Sequence, residues 1–166
     1  MSEFSEEMME LEEDTQKDKF LIFLLGDGSY GIDIKYVIEI IGMEPITEVP
    51  QMPNFIRGVI NLRGRIIPVM DVRLKFKKEE KDYDDRTCII VVDINSISIG
   101  LIIDRVVEVL TIEETNISPA PTINGNGDNA NKYIKGIGKV GNDVKLLIDC
   151  DKLLEEDELE ALNTKA

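Results

Sequence analysis

Short runs of isoleucine, valine and leucine, each followed by residues that favour turns, recur along this 166-residue chain. Residues 20–25 form a continuous apolar run that ends at Gly26-Asp27-Gly28, and residues 30–34 resume with alternating apolar and polar positions. An Asp-Gly pair between two such segments predicts a β-hairpin. The same pattern predicts further strands in residues 56–70 (two runs), 87–93, 98–103, 106–112, 133–140 and 144–149.

The segments between these runs carry other signals. Residues 35–41 mix the 3.6-residue period of a helix with the two-residue period of a strand, and they predict a helical turn that continues as a strand. Prolines mark residues 42–54 and 118–121 as irregular, and the dense charges of residues 75–86 predict an exposed loop. Asp151 is predicted to cap a short C-terminal amphipathic helix. The apolar side of that helix would carry Leu153, Leu154, Leu159 and Leu162.

About ten short strands with one terminal helix indicate a mainly β protein. Because the strands do not alternate with full helices, a parallel α/β sheet is disfavoured, and antiparallel barrels fit best. The chain length suits two five-stranded barrels better than a single ten-stranded one. We expect an acidic flexible tail over residues 1–16, one two-lobed domain over residues 17–155, and the end of the helix with a tail over residues 156–166.

Residues 58–73 read Gly-Val-Ile-Asn-Leu-Arg-Gly-Arg-Ile-Ile-Pro-Val-Met-Asp-Val-Arg. Two β-branched runs flank a turn at residues 61–64, where Gly64 meets the needs of a tight turn and Arg63 stands just before it. The stretch builds a turn and places one cation. That combination is typical of a docking protein and not of an enzyme.

Composition and charge exclude several classes of function. The formal net charge is −14, so a nucleic-acid phosphate backbone would be repelled. Tryptophan is absent, and the two cysteines, Cys88 and Cys150, lie in apolar runs that predict small buried side chains. The acidic N-terminus does not resemble a signal peptide, and no apolar run reaches membrane-spanning length. We therefore expect a soluble, cytoplasmic protein with reduced thiols.

The motifs that suggest catalysis or ligand binding are incomplete. Gly26-x-Gly28-x-x-Gly31 matches a dinucleotide fingerprint, but the alternating residues that follow predict a strand where a helix is needed. Asn124-x-Asn126-x-Asp128 lacks the glycine and the glutamate of a calcium loop. Histidine is absent, which removes the usual general base and metal ligand. We expect no cofactor and no metal, and a small β-barrel enzyme with paired carboxylates stays as the alternative.

The order and spacing of many short motifs resemble the CheW family of bacterial chemotaxis coupling proteins, over roughly residues 17–160. The first half carries Tyr30-Gly31-Ile32, Val37-x-Glu39-Ile40, Thr47-x-Val49-Pro50-x-x-Pro53, Ile56-x-Gly58 through Gly64, and Pro68-Val69-x-Asp71-x-Arg73. The second half carries Gly100, Val106, Val109-Leu110, Pro119-x-Pro121, Gly136, Leu147-x-Asp149 and Leu153-Leu154.

The resemblance implies two five-stranded, SH3-like β-barrels packed around a shared hydrophobic core. It implies a cytoplasmic adaptor without enzymatic activity, recruited to membrane-associated receptor arrays. The implied partners are the cytoplasmic tips of methyl-accepting chemotaxis receptors and the histidine kinase CheA, whose regulatory domain has a related fold. The chain has none of that kinase's catalytic domains in the region of the resemblance.

The resemblance also implies where partners would bind. A receptor tip is a helical hairpin, and a groove between two barrels would suit one face of a helix. Val37, Ile40, Val106 and Val109 are the candidates to line it, with ordinary core packing as the alternative for each valine. Glu39 and Arg63 are the candidates to set register at its edge, with an internal ion pair as the alternative. Gly58 and Gly100 are predicted to serve backbone turns that keep the interface flat.

Overall fold

The computed structural model describes residues 16–120 and 131–154, which contain eleven strands in two sheets. In chain order the strands are β1 Lys19–Leu25, β2 Gly28–Asp33, β3 Val37–Gly42, β4 Ile56–Leu62, β5 Arg65–Asp71, β6 Cys88–Ile94, β7 Ile97–Ile103, β8 Arg105–Thr111, β9 Ile117–Pro119, β10 Ile134–Val140 and β11 Asp143–Ile148. The predicted mainly β architecture is confirmed. The two sheets are consistent with the two predicted SH3-like barrels, although the strand orders of the described residues do not close into rings.

The two sheets differ in strand number. One has six strands in the order β8-β1-β2-β11-β10-β9, and the other has five in the order β3-β6-β7-β5-β4. The prediction of two five-stranded units is therefore wrong for the first sheet. The sixth strand is Ile117–Pro119, which pairs with β10 although its proline predicted a break. Because β9 is an edge strand, the missing N–H of Pro119 costs no hydrogen bond within the sheet.

The order of the strands is not their order in the chain. The N-terminal hairpin β1–β2 joins strands β8–β11, while β3–β7 form the other sheet without interruption. Two parallel contacts, β2 with β11 and β5 with β7, complete sheets that are otherwise antiparallel. We call the two units the six-stranded lobe and the five-stranded lobe.

Both lobes contribute to one shared core. In β1, Leu21, Phe23 and Leu25 point into that shared core, whereas Phe20 and Ile22 join a smaller cluster within the six-stranded lobe. Strand β6 alternates in the same way between the shared core and a cluster within the five-stranded lobe. A strand that is buried on both faces reads as a continuous apolar run, which explains why these segments lack the usual alternation.

The helical segments are short. Helix α1 is Val72–Lys75 and helix α2 is Cys150–Leu153, with 3₁₀ turns at Ile34–Tyr36, Glu114–Asn116 and Asn131–Tyr133. The 3₁₀ turn that leads directly into β3 confirms the prediction of a helical turn continuing as a strand in residues 35–41. The cap of α2 is Asp149, whose carboxylate accepts from the backbone N–H of Asp151, so the predicted cap at Asp151 is wrong by two residues. Leu159 and Leu162 lie outside the described residues.

The segment predicted as an exposed loop is anchored at its start. Lys75 is only 5% exposed, and its Nζ lies 4.0 Å from the centre of the Phe55 ring and 5.2 Å from that of Tyr133. Farther along, the Tyr83 hydroxyl donates to the buried Asp71 carboxylate at 2.9 Å. Burial of Tyr83, together with that hydrogen bond, raises the pKa of its hydroxyl. The prediction of an exposed loop over residues 75–86 is therefore wrong for Lys75, which is buried, and Tyr83 is held against the five-stranded lobe by its hydrogen bond.

An ion pair joins the lobes where the chain crosses from one to the other. Asp104 is the single residue between β7 and β8. Its Oδ1 accepts from Arg73 Nε at 2.7 Å, and its Oδ2 accepts from Arg73 Nη2 at 2.5 Å and from the Gly26 N–H at 2.7 Å. Each side chain of the ion pair is 15% exposed. We call Arg73, Asp104 and Gly26 the inter-lobe clamp, because it links α1 of one lobe to the β1–β2 turn of the other.

Candidate functional site

The turn that places Arg63 is a tight β-hairpin. Arg63 and Gly64 form the two-residue turn between β4 and β5, and both have positive φ, 53° and 86°. This conformation matches the right-handed twist of the hairpin strands, and glycine adopts it without strain. The Asn61 Oδ1 accepts a hydrogen bond from the Gly64 N–H at 2.9 Å. The predicted turn is confirmed, and it carries Arg63 at the tip of the hairpin.

Arg63 pairs with Glu39 through two parallel hydrogen bonds. Nη1 lies 2.8 Å from Oε1 and Nη2 lies 2.9 Å from Oε2. These hydrogen bonds from Arg63 lower the pKa of the Glu39 carboxyl, and the positive charge of Arg63 adds to the effect. The paired arrangement fixes both the distance and the plane of the guanidinium.

This ion pair connects the two edges of the five-stranded sheet. Glu39 lies on β3 at one edge, and Arg63 follows β4 at the other edge. The Arg63 side chain is 71% exposed and that of Glu39 is 28% exposed. Glu39 and Arg63 therefore pair within the protein, and the exposed guanidinium keeps donors available to a partner.

Strand β3 alternates between the protein interior and solvent. Val37 and Ile41 are partly buried, and Val37 packs against the shared core. Ile38 and Ile40 are 49% and 45% exposed. Two large apolar side chains therefore lie on the outer side of an edge strand, next to the partly buried Glu39.

Strand β8 repeats this arrangement at the edge of the six-stranded sheet. Val106 is partly buried against the shared core, whereas Val107 and Val109 are 42% and 48% exposed. Burial raises the pKa of the Cys88 thiol, and a hydrogen bond from the backbone N–H of Val106 offsets part of that rise. Cys88 also pairs with Gly42 at the end of β3. The start of β8 thus lies beside β6, the strand that neighbours β3.

The two predicted glycines lie inside strands and not at turns. Gly58 has φ +143°, and a Cβ there would lie 2.1 Å from the Thr47 carbonyl oxygen. A Cβ on Gly100 would lie 2.7 Å from Ile89 Cγ2. Both glycines are buried, and each permits the close approach of a neighbouring segment. The prediction that they serve backbone turns is wrong, because the close approach of neighbouring chains and not a turn requires them.

The structure adds two residues that the sequence reasoning missed, Ile38 and Val107. Each is a large apolar side chain that is nearly half exposed and neighbours a predicted site residue. The available signal was the period of two: a strand whose alternate residues are buried exposes the residues between them. Their apolar character concealed this, since consecutive apolar residues suggested burial on both faces.

The described residues offer little for catalysis. Within residues 16–120 and 131–154, no group of three or more Cys, Asp or Glu side chains is arranged to hold a metal ion. The Cys150 thiol is buried, and burial raises its pKa to about 12, which disfavours a nucleophilic thiolate. In the same ranges, no helix is long and apolar enough to cross a membrane.

Comparisons with known proteins show which family the chain belongs to. The family model for the CheW-like domain matches residues 19–158. The chain is 38% identical over 153 residues to the chemotaxis protein CheW of Klebsiella aerogenes, covering 92% of this chain and 91% of that protein. It is 34% identical over 140 residues to the chemotaxis protein CheW of Helicobacter pylori, covering 84% and 82%.

A solved structure shows the same fold. The crystal structure of the scaffolding protein CheW from Thermoanaerobacter tengcongensis matches with a TM-score of 0.77 and 36% sequence identity, covering 85% of this chain and 94% of that one. Sequence and structure therefore agree that this chain belongs to the CheW-like family of chemotaxis scaffold proteins.

Proposed function

We propose that this protein is a non-enzymatic adaptor that couples methyl-accepting chemotaxis receptors to the histidine kinase CheA and supports control of kinase activity. Its place would be at membrane-associated receptor arrays in the cytoplasm. Membership of the CheW-like family supports the assignment to chemotaxis signalling. No feature of the described residues favours the paired-carboxylate enzyme, because the carboxylates with lowered pKa are engaged in ion pairs or backbone hydrogen bonds.

The observation that carries the proposal is apolar exposure on two edge strands, one from each lobe. We define the docking surface as Val37, Ile38, Glu39, Ile40, Arg63, Val106, Val107 and Val109. Completing the burial of a half-exposed isoleucine or valine yields roughly 1 kcal/mol, since full burial of such a side chain yields about 1.5–3 kcal/mol. Four such side chains contribute roughly 4 kcal/mol, which is about half of the roughly 8 kcal/mol that corresponds to micromolar affinity. Contacts of this strength suit an assembly whose parts exchange.

The polar part of the docking surface supplies orientation. Glu39 and Arg63 hold each other in one geometry, so a partner meets a fixed guanidinium plane and not a freely rotating chain. Electrostatic groups of this kind contribute to specificity and register more than to affinity. We therefore expect Arg63 to select the partner and the four exposed apolar side chains to hold it.

The first experiment measures assembly and kinase control together. Purified protein is mixed with receptor fragments in membranes and with CheA, and the sediment and the rate of kinase autophosphorylation are measured. We expect the protein to sediment with receptors and CheA and to raise kinase activity in the ternary mixture. A protein that stays in the supernatant with either partner, at tens of micromolar, would refute the proposal.

Charged substitutions test the docking surface itself. Ile40→Asp and Val109→Asp each remove roughly 1 kcal/mol of apolar burial and add a charge that must be desolvated. We expect each to weaken assembly by about tenfold or more. Val144→Asp is the matched control, because Val144 is 53% exposed but lies on β11, outside the docking surface. Equal effects of all three substitutions would contradict the assignment of the surface.

Arg63→Ala separates partner contact from folding. The side chain is largely exposed, so we expect a nearly unchanged thermal melt and a clear loss of assembly or kinase control. Arg65→Ala is the control for the loss of one exposed cation in the same hairpin, because the Arg65 guanidinium donates to the Ser98 hydroxyl and not to Glu39. A large drop in melting temperature for Arg63→Ala would show that its role is internal.

A further inference from the structure

A recess of about 350 Å³ lies on the surface beside the inter-lobe clamp. Its wall is formed by the β1–β2 turn, by residues 81–86 and by the start of β8. Four cations and three carboxylates line it, in a chain whose formal net charge is −14. The local balance is therefore opposite to that of the protein as a whole.

Two of the three carboxylates already have donors. Asp104 is held by Arg73 and the Gly26 N–H in the clamp. Asp84 accepts from the backbone N–H groups of Arg86 and Thr87, and the first of these hydrogen bonds is the main cause of its lowered pKa. The carboxylates of Asp104 and Asp84 therefore already accept hydrogen bonds from residues around the recess.

Arg86 and Arg105 are the two arginines of the recess whose side chains are not engaged in such contacts. Neither forms an ion pair or a side-chain hydrogen bond with any residue in the part of the chain that the structure describes. Lys81, the third cation of the rim, reaches Asp84 at 3.7 Å with both side chains about half exposed, which is a weak contact. Guanidinium groups that converge on a recess without partners, in a chain with 33 acidic residues, form a site that favours an anion.

We propose that this recess binds a phosphate-type oxyanion, either free or as part of a nucleotide, through Arg86, Arg105 and Lys81. Lys81 and Arg86 line one wall of the recess and Arg105 lines another. A tetrahedral oxyanion offers acceptors in several directions, whereas a carboxylate offers them in one plane. Arg73 and Asp104 also line the recess, and their charges offset each other within the ion pair. Asp27, which also lines the recess, opposes binding, because its carboxylate repels the ligand.

The test is a titration of the full-length protein followed by ¹H–¹⁵N NMR, with inorganic pyrophosphate at ionic strength held constant by sodium chloride. We expect saturable shifts confined to the amides of residues 24–27, 81–86 and 104–106. Arg86→Gln and Arg105→Gln should each weaken binding by roughly threefold to tenfold, and Asp27→Asn should tighten it by a few-fold. Arg65→Gln, an exposed arginine elsewhere, should leave the dissociation constant unchanged.

A second arm uses ADP in place of pyrophosphate. Tighter binding of ADP than of pyrophosphate assigns the site to nucleotides, and the reverse order assigns it to free oxyanions; both results support the proposal. Shifts that grow linearly with concentration, that spread over the whole surface, or that persist unchanged in Arg86→Gln and Arg105→Gln would overturn it. These variants lie on exposed positions, and a thermal melt of each confirms that the fold is intact.

Discussion

Replacing Asp104 with asparagine should destabilise the protein by about 2–4 kcal/mol, because it breaks a partly buried ion pair. The carboxylate of Asp104 accepts three hydrogen bonds, two from Arg73 and one from the Gly26 N–H. Asparagine has a single acceptor oxygen, so its NH₂ group would face a donor at one of these positions. Arg73, whose side chain is 15% exposed, would keep its charge without a counterion.

The magnitude follows from these contacts. Hydrogen bonds to charged groups contribute about 1.5–3 kcal/mol, and removing one partner of a fully buried ion pair costs about 3–5 kcal/mol. Because the Arg73–Asp104 pair is partly exposed, we expect the loss of stability in Asp104→Asn to lie slightly below the range of about 3–5 kcal/mol for a fully buried pair. For a domain of this size each kcal/mol lowers the melting temperature by roughly 2–4 °C, so we expect a decrease of about 4–16 °C.

Urea denaturation and thermal melts measure the effect, with Glu80→Gln as the matched control. Glu80 pairs with Arg57 at 2.8 Å, but the two side chains are 60% and 33% exposed. Its neutralisation changes the net charge by the same amount as Asp104→Asn and should cost at most about 1 kcal/mol. Equal stability losses in the two variants, or a loss below about 0.5 kcal/mol in Asp104→Asn, would refute the reasoning.

The same variant predicts a pH dependence. Burial raises the pKa of Asp104, but the hydrogen bonds from Arg73 and Gly26 and the charge of Arg73 outweigh it, so the pKa in the folded protein is lowered. A carboxyl whose pKa is lowered in the folded protein stabilises the fold at pH values above the ordinary aspartate pKa of about 3.9. This stabilisation is lost as the pH falls through the lowered pKa. The stability difference between wild type and Asp104→Asn should therefore shrink below about pH 4. A difference that is constant down to pH 2 would contradict the assignment of the clamp.

Three further predictions use other parts of the fold. Gly58→Ala should lower the free energy of unfolding by about 3–5 kcal/mol, because its Cβ would meet a backbone oxygen and its φ is positive. Gly64→Ala, which has a positive φ but open space around it, should lower it by about 1–2 kcal/mol, and Gly42→Ala, with neither constraint, by less than about 0.5 kcal/mol. Urea denaturation measures all three. The small difference in melting temperature between wild type and Arg63→Ala should vanish in acid, since the carboxylate that pairs with Arg63 has a lowered pKa and loses its charge as the pH falls through it. Deleting residues 1–14 should leave the melt and the co-sedimentation unchanged, and loss of binding would show that the acidic tail takes part.

Several local features of the fold were predictable from the sequence. The Asp-Gly hairpin between β1 and β2 and the turn at Arg63-Gly64 both contain residues with positive φ, and turn-favouring residues predict both. The helical turn that leads into β3 also followed from the local pattern. These features depend on the backbone preferences of two to seven neighbouring residues, so they can be read without knowledge of the rest of the chain.

Features that join distant parts of the chain were not predictable in this way. Arg73 and Asp104 are separated by 31 positions, and each alone resembles an ordinary charge at the end of an apolar run. The charged residues that follow Lys75 in sequence predict an exposed loop, but in space the Lys75 ammonium lies over aromatic rings. Burial of a charged side chain depends on what packs around it, and sequence distance carries little information about that.

The residues alone indicate a mainly β chain, the positions of most of its strands and turns, and its resemblance to the CheW family. Three features could be seen only in the folded protein: the N-terminal hairpin joins the C-terminal strands, one sheet has six strands, and Glu39 and Arg63 pair across the edges of the other. The two groups of features differ in how far apart along the chain the interacting residues lie. Turns and strand periods follow from contacts between near neighbours, whereas sheet order and exposure follow from which apolar faces can share a core, and that choice involves the whole chain at once.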